Sequence, residues 1–219
     1  MRAGVTTGRS VTSNGCAAPG VDHDPFDLGA TSPGPAVPCA HMQGGDETTG
    51  VHRNVQRVVD AGAELGVVVA PRRFPEGAKT AADAAAAIGC DVGQIIKSLI
   101  FGVDGEIVLA YVSGRNRLDE SKLAAAAGGE RCERVDADAV RAATGFPIGG
   151  VPPLGHATRL RAFVDPALLG YDEVWGAAGT WHDVFPIAPD QLVGVTGAVV
   201  TDLAADPDDR PRERRSDRG

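Results

Sequence analysis

The chain has 219 residues, 43% hydrophobic, 23% charged and only 5% aromatic, which suits one domain with a substantial core of small aliphatic side chains. A net charge of −8, with 14 basic against 19 acidic residues in 51–203, argues against broad binding of a nucleic-acid backbone and against a DNA partner, while leaving room for a small basic mouth on one RNA end. Cys16, Cys39, Cys90 and Cys132 form no CxxC pair, no apolar h-region opens the chain, and no apolar run nears the roughly 20 residues of a membrane span, so the expectation is a cytoplasmic protein with reduced thiols and no membrane partner.

Residues 1–50 are rich in Gly, Pro, Ser and Thr with no apolar period, and are expected to be a disordered leader or, if Met42 is the biological start, a mis-assigned one. Val51, Val55, Val58, Val59 and Leu65 recur at helical spacing, so 51–65 reads as an amphipathic helix stopped at Gly66. Residues 67–70 read as a short strand ended by Pro71. Thr80 suits the N-cap of an Ala-rich helix over 81–88, terminated by Gly89. Two strand-like runs follow, 94–101 and 106–113, joined by a connection that carries the Asp104-Gly105 hairpin signal.

Asp119 suits the cap of a helix over 120–127 closed by Gly128, and Asp136 the cap of another over 137–143. A Gly/Pro-dense loop over 146–156 leads to a strand at 159–164. Later strands are expected at 172–175, 183–187 and 198–202, with a short helix from Pro189, and 204–219 reads as a charged flexible tail. Short strands mixed with short helices, without regular βαβ spacing, give an α+β class with a mixed, partly barrel-like sheet.

Three places could carry chemistry. Lys97 sits in the run Ile95-Ile-Lys-Ser-Leu-Ile-Phe101, where alternation puts it on a face with Ile95, Leu99 and Phe101. A cation in a strand that is apolar on both faces is costly unless paired. It either meets an anion or carbonyl at a pocket floor, or ends a strand with its ammonium reaching solvent. The second place is Gly149-Gly-Val-Pro-Pro-Leu-Gly-His156, where glycines admit close approach of backbone amides and the prolines stiffen the loop. It is either an oxyanion-binding loop, with Gly150 or Val151 as donors, or a rigid turn. His156 could orient substrate or shuttle a proton, or be structural. The third is the turn Gly176-Ala-Ala-Gly-Thr-Trp-His182, with Thr180 and His182 as polar candidates and Trp181 as a surface on which a base could stack. On its own it reads as a turn with a packed Trp.

No P-loop, GxSxG elbow or HExxH motif is present, and the five His, at 23, 41, 52, 156 and 182, are scattered, so no metal or cofactor is expected.

In order along the chain, 81–89, 94–101, 112–123, 148–156, Gly179-Thr180 and Asp190-Gln-Leu192 resemble the YbaK / prolyl-tRNA synthetase-associated editing family, over about 55–203. The resemblance implies a mixed sheet curled round a pocket with flanking helices, hydrolysis of mischarged aminoacyl-tRNA, and no Ser or Cys nucleophile. The family Lys falls on Lys97 and its Gly/Pro loop on 149–156. The candidate catalytic set is then Lys97, Gly150, Val151 and His156, and the substrate-binding set is Gly149, Pro152, Pro153, Thr180 and His182. The expected partner is the 3′ end of an aminoacyl-tRNA, together with an aminoacyl-tRNA synthetase; the chain has no room for a synthetase catalytic domain, so editing would be in trans. Two other readings stay open, a non-catalytic module binding a nucleotide, tRNA end or synthetase in the same pocket, and a hydrolase of small free esters. A bulky residue at Gly150 is expected to abolish turnover and leave stability nearly intact.

Overall fold

The computed structural model describes residues 51–74 and 80–206; the expectations for the leader 1–50 and for most of the tail lie outside the described residues. Helix α1 (Arg53–Glu64) is followed by β1 (Arg72–Arg73), α2 (Ala81–Ile88), β2 (Ile96–Val103), β3 (Glu106–Ser113), α3 (Glu120–Ala127), β4 (Cys132–Arg134), α4 (Ala137–Thr144), β5 (Arg161–Val164), β6 (Val174–Ala177), β7 (Asp183–Ile187), α5 (Pro189–Thr196) and β8 (Val199–Val200). The class is α+β with mixed sheets, as expected. The strands do not close into a barrel but form a five-stranded sheet ordered β4-β2-β3-β5-β8 and a three-stranded one ordered β1-β7-β6.

Local chemistry explains most element boundaries. Thr80 caps α2 reciprocally with Asp83, and Asp119 and Asp136 cap α3 and α4 through their carboxylates. The β2–β3 hairpin is tighter than the sequence suggested. β2 runs on to Val103, which pairs with Glu106. Asp104 and Gly105 alone make the turn, both at positive φ (48° and 90°), the conformation that Asp-Gly favours.

One expected strand fails to form, and a strand that was not expected does. The strand at 67–70 is absent: Val67 donates its N–H back to Gly62 O at the end of α1, and ladder pairing begins only at Arg72 opposite Val184. In its place, Val67 and Val69 anchor an extended segment in the core while Val68 is exposed. The sequence reading also missed β4, which pairs with the far end of β2. The Asp104 carboxylate holds it in place by accepting the Glu130 and Arg131 amides.

β3 is buried on both faces, which is why its sequence is continuously apolar. Leu109 and Tyr111 join the larger core with Val58 of α1, Val140 of α4, Phe185 of β7 and Leu192 of α5. Val108, Ala110 and Val112 face the opposite way, against Leu123 and Ala124 of α3 and Leu203. Among the described residues no helix is long and apolar enough to cross a membrane.

Candidate functional site

The site lies where β2 is unpaired on one edge. At its start Ile95 forms a bridge to Trp175 of β6, and at its end Phe101–Val103 pair with β4. Between these points the edge from Ile96 to Ile100 has no strand partner among the described residues, and a cleft opens along it. The cleft has two lobes, of about 450 Å³ and 280 Å³, that share Lys97, Ser98, Leu99, Ile148, Gly149 and Val151. The larger lobe continues to Arg117, Leu118, Glu120 and Arg134. The smaller continues to Ala81 and Ala84 of α2, and to Trp175, Thr180 and Trp181.

Lys97 therefore stands on the divide, half-buried. Its ammonium donates to the main-chain carbonyl of Asn116, and no carboxylate lies within ion-pairing distance among the described residues. Burial lowers its pKa first, and the neighbouring Arg117 charge lowers it further, against the opposing pull of Asp165. Asp165 accepts from Asn116 Nδ2 at 2.7 Å through one oxygen and from the Ala167 amide at 3.0 Å through the other. Beside Lys97, Ser98 Oγ is buried with no hydrogen-bond partner among the described residues.

The 149–156 loop divides into a part that faces the cleft and a part that braces it. Gly149 and Val151 line both lobes, and neither amide has a partner among the described residues. Gly150 differs from the expectation: its N–H is donated to Pro147 O at 3.0 Å, closing the turn, so it is not an open donor. Pro152 and Pro153 line neither lobe. Pro153 O accepts from the buried Tyr111 hydroxyl at 2.8 Å, and its ring packs against Gly176. His156 also lies away from the cleft, beside Arg57 and Gly155. Its Nε2 meets Pro152 O at 2.7 Å and its ring stands edge-on to Phe146. Burial lowers the His156 pKa, with the Pro152 bond opposing and the Arg57 charge adding. These three residues hold the loop and do not reach the reacting space; alternation and motif order carry no information about which way a loop side chain turns.

On the other side, Thr180 lines the small lobe, donating to Asp183 at 2.5 Å and accepting the His182 amide. Arg73 grips Asp183 through two bonds of 2.9 and 3.0 Å. Burial works to raise the Asp183 pKa, but the bonds from Arg73 and Thr180 outweigh it and hold the carboxyl below its ordinary range. His182 lines neither lobe; its Nδ1 meets Phe74 O at 3.2 Å, and its ring meets Trp181 edge-on. Trp181 is 54% exposed at the cleft mouth, not packed as the sequence reading favoured. The sequence reading also passed over Ser98 and Arg117. No group of three or more His, Cys, Asp or Glu side chains is placed to hold a metal among the described residues.

Residues 75–195 match the model of the aminoacyl-tRNA editing domain. A crystal structure described as a candidate trans-editing enzyme for prolyl tRNA synthetase superposes with a TM-score of 0.69 at 42% identity, over 72% of this chain and 100% of that one. The proline–tRNA ligase of Nitratidesulfovibrio vulgaris (strain DP4) is 36% identical over 115 residues, 52% of this chain but only 19% of the ligase. A protein of Enterococcus faecalis named as a candidate Cys-tRNA(Pro)/Cys-tRNA(Cys) deacylase, EbsC, is 26% identical over 57% of this chain and 76% of its own length. With more than half of its length matched by that family model, and with the two-lobed cleft inside the matched span, the chain belongs to the aminoacyl-tRNA editing domain family.

Proposed function

We propose that this protein is a trans-acting aminoacyl-tRNA deacylase that hydrolyses the ester of a mischarged tRNA. The observation that carries this reading is Lys97 at the divide of the cleft, in a lining it shares with Gly149 and Val151, whose amides have no partner among the described residues. An aminoacyl ester is already activated, so the protein need supply only placement and charge stabilisation. Water adds to the ester carbonyl carbon, the bond from that carbon to the ribose oxygen breaks, and the proton released by water ends on the ribose hydroxyl. The neighbouring ribose hydroxyl or a positioned water serves as the base. The Gly149 and Val151 amides receive the developing oxyanion, and the Lys97 cation strengthens that field between apolar walls, where electrostatic contacts gain from a low dielectric.

Action in trans is supported by the solved relative that this chain covers over its whole length, which is described as a trans-editing enzyme. The partner is the 3′ end of the tRNA, delivered alone or by an aminoacyl-tRNA synthetase. The acidic balance of 51–203 favours a second reading, a non-catalytic module that binds the same tRNA end. Incubating the protein with a panel of mischarged tRNAs and following release of free amino acid separates the two: turnover supports the deacylase, and binding without ester loss supports the module.

A further inference from the structure

The two lobes differ in charge. Among the described residues the smaller lobe has no charged lining residue except Lys97, which it shares. The larger adds Arg117 and Arg134, with Glu120 as its one carboxylate among the described residues. Glu120 leans towards Arg134 at 3.9 Å, and so offsets the outer cation. Arg117 has no such offset: its guanidinium makes no ion pair or hydrogen bond among the described residues. Lys97 is in the same position, bonded only to a neutral carbonyl.

Two cations facing one lobe, neither ion-paired among the described residues, repel each other and favour an anion, although Asp165 offsets part of the charge on Lys97. The segment that carries them is fixed. Arg117 O accepts the Ala205 amide at 2.8 Å and Asn116 Nδ2 is tied to Asp165. Lys97 in turn is tethered to Asn116 O.

We propose that Arg117 binds the last internucleotide phosphate of the tRNA acceptor end in the larger lobe, completing a phosphodiester subsite beside Lys97. The proposal rests on the deacylase reading for the identity of the nucleic acid, but it assigns Arg117 a binding role that the ester chemistry does not require. It also gives the cleft a polarity. The RNA strand enters through the cationic lobe, the ester reaches the divide at Lys97, and the smaller lobe is left to the group beyond it. A planar guanidinium suits this task because it can meet two phosphate oxygens at once. One such subsite also reconciles an acidic protein with an RNA partner, since a few phosphate contacts at one mouth suffice to dock an end.

The test uses the full-length protein and a short RNA ending in CCA, uncharged, alongside the same RNA with a neutral methylphosphonate in place of the last internucleotide phosphate. Binding is followed by fluorescence anisotropy at several salt concentrations. Wild type is expected to lose about tenfold in affinity for the neutral linkage, the scale of one charge-assisted contact. Arg117→Gln is expected to bind the natural RNA about tenfold more weakly, with a salt slope shallower by about 0.7–1, and to be indifferent to the methylphosphonate. Arg117→Lys should recover part of the loss. If Arg117→Gln and the neutral linkage weaken binding independently, so that their effects multiply, or if neither does, the subsite is wrong. The deacylase reading fails separately, by absence of ester loss from every mischarged tRNA while this charge-dependent binding persists.

Discussion

Gly150 rests directly against the backbone of Thr180. A Cβ built at 150 would lie 2.9 Å from Thr180 Cα and 3.1 Å from Gly179 O. The two turns that border the cleft, 147–151 and 178–183, are thus locked together at a point where only hydrogen fits.

The contact overturns the expectation that a bulky residue at 150 would spare stability. Gly150→Val should cost about 1–3 kcal/mol, the usual scale of overpacking against atoms that cannot move, and Gly150→Ala should cost less. Urea denaturation of both variants checks this. A wild-type midpoint for Gly150→Val would mean that the turns separate freely.

Ser98 gives the opposite sign. Its hydroxyl is buried without a partner among the described residues, so Ser98→Ala removes an unsatisfied group and should leave stability unchanged or raise it by about 1 kcal/mol. A loss of stability in thermal unfolding would show that Oγ has a partner, such as an ordered water.

His156 is expected to behave as a brace. Its pKa is lowered from the ordinary 6.5, chiefly by burial, so on acidification the unfolded chain takes up the proton first. Stability due to this group is therefore full above 6.5 and falls as pH drops below it, until the native ring also protonates. His156→Gln should remove that part of the pH dependence and keep near-wild-type turnover at pH 7. A collapse of turnover with unchanged stability would restore His156 to the chemistry.

Asp183 should show its own window. Its carboxyl is held below the ordinary 3.8 by Arg73 and Thr180, against the effect of burial. Its contribution is full above that value and is lost as pH falls through the lower, native pKa. Asp183→Asn should cost about 1–3 kcal/mol at neutral pH, and the gap to wild type should close on acidification below 3.8. A gap that stays constant down to acid unfolding would contradict the pairing.

Much of the fold is legible in the sequence because local signals set it. Thr80, Asp119 and Asp136 each cap the helix expected of them, and Asp104-Gly105 makes the hairpin. What is illegible depends on long-range partners. The Cys-Glu-Arg of β4 has no strand pattern, and exists because Asp104 captures the two amides preceding it. Val67-Val-Val has the pattern of a strand and lacks a neighbour. The site follows the same division. Strand alternation and the loop motif pointed to Lys97, Gly149 and Val151, which do line the cleft. They could not show that His156, His182, Pro152 and Pro153 turn elsewhere, because the direction of a loop side chain is decided by distant acceptors such as Phe74 O and by distant donors such as the Tyr111 hydroxyl.

The most direct test of the account is single-turnover hydrolysis of a mischarged tRNA by wild type and Lys97→Ala, read alongside thermal stability. A cation that stabilises charge during ester cleavage should cost about 10²–10³ in rate when removed. The melting temperature should stay level or rise slightly, because a half-buried charge with no carboxylate partner is removed with it. Lys97→Arg keeps the charge but replaces a compact ammonium with a planar fork, and should recover little of the rate. Undiminished turnover in Lys97→Ala, at wild-type stability, would contradict the role assigned to Lys97 and with it the reading of the cleft.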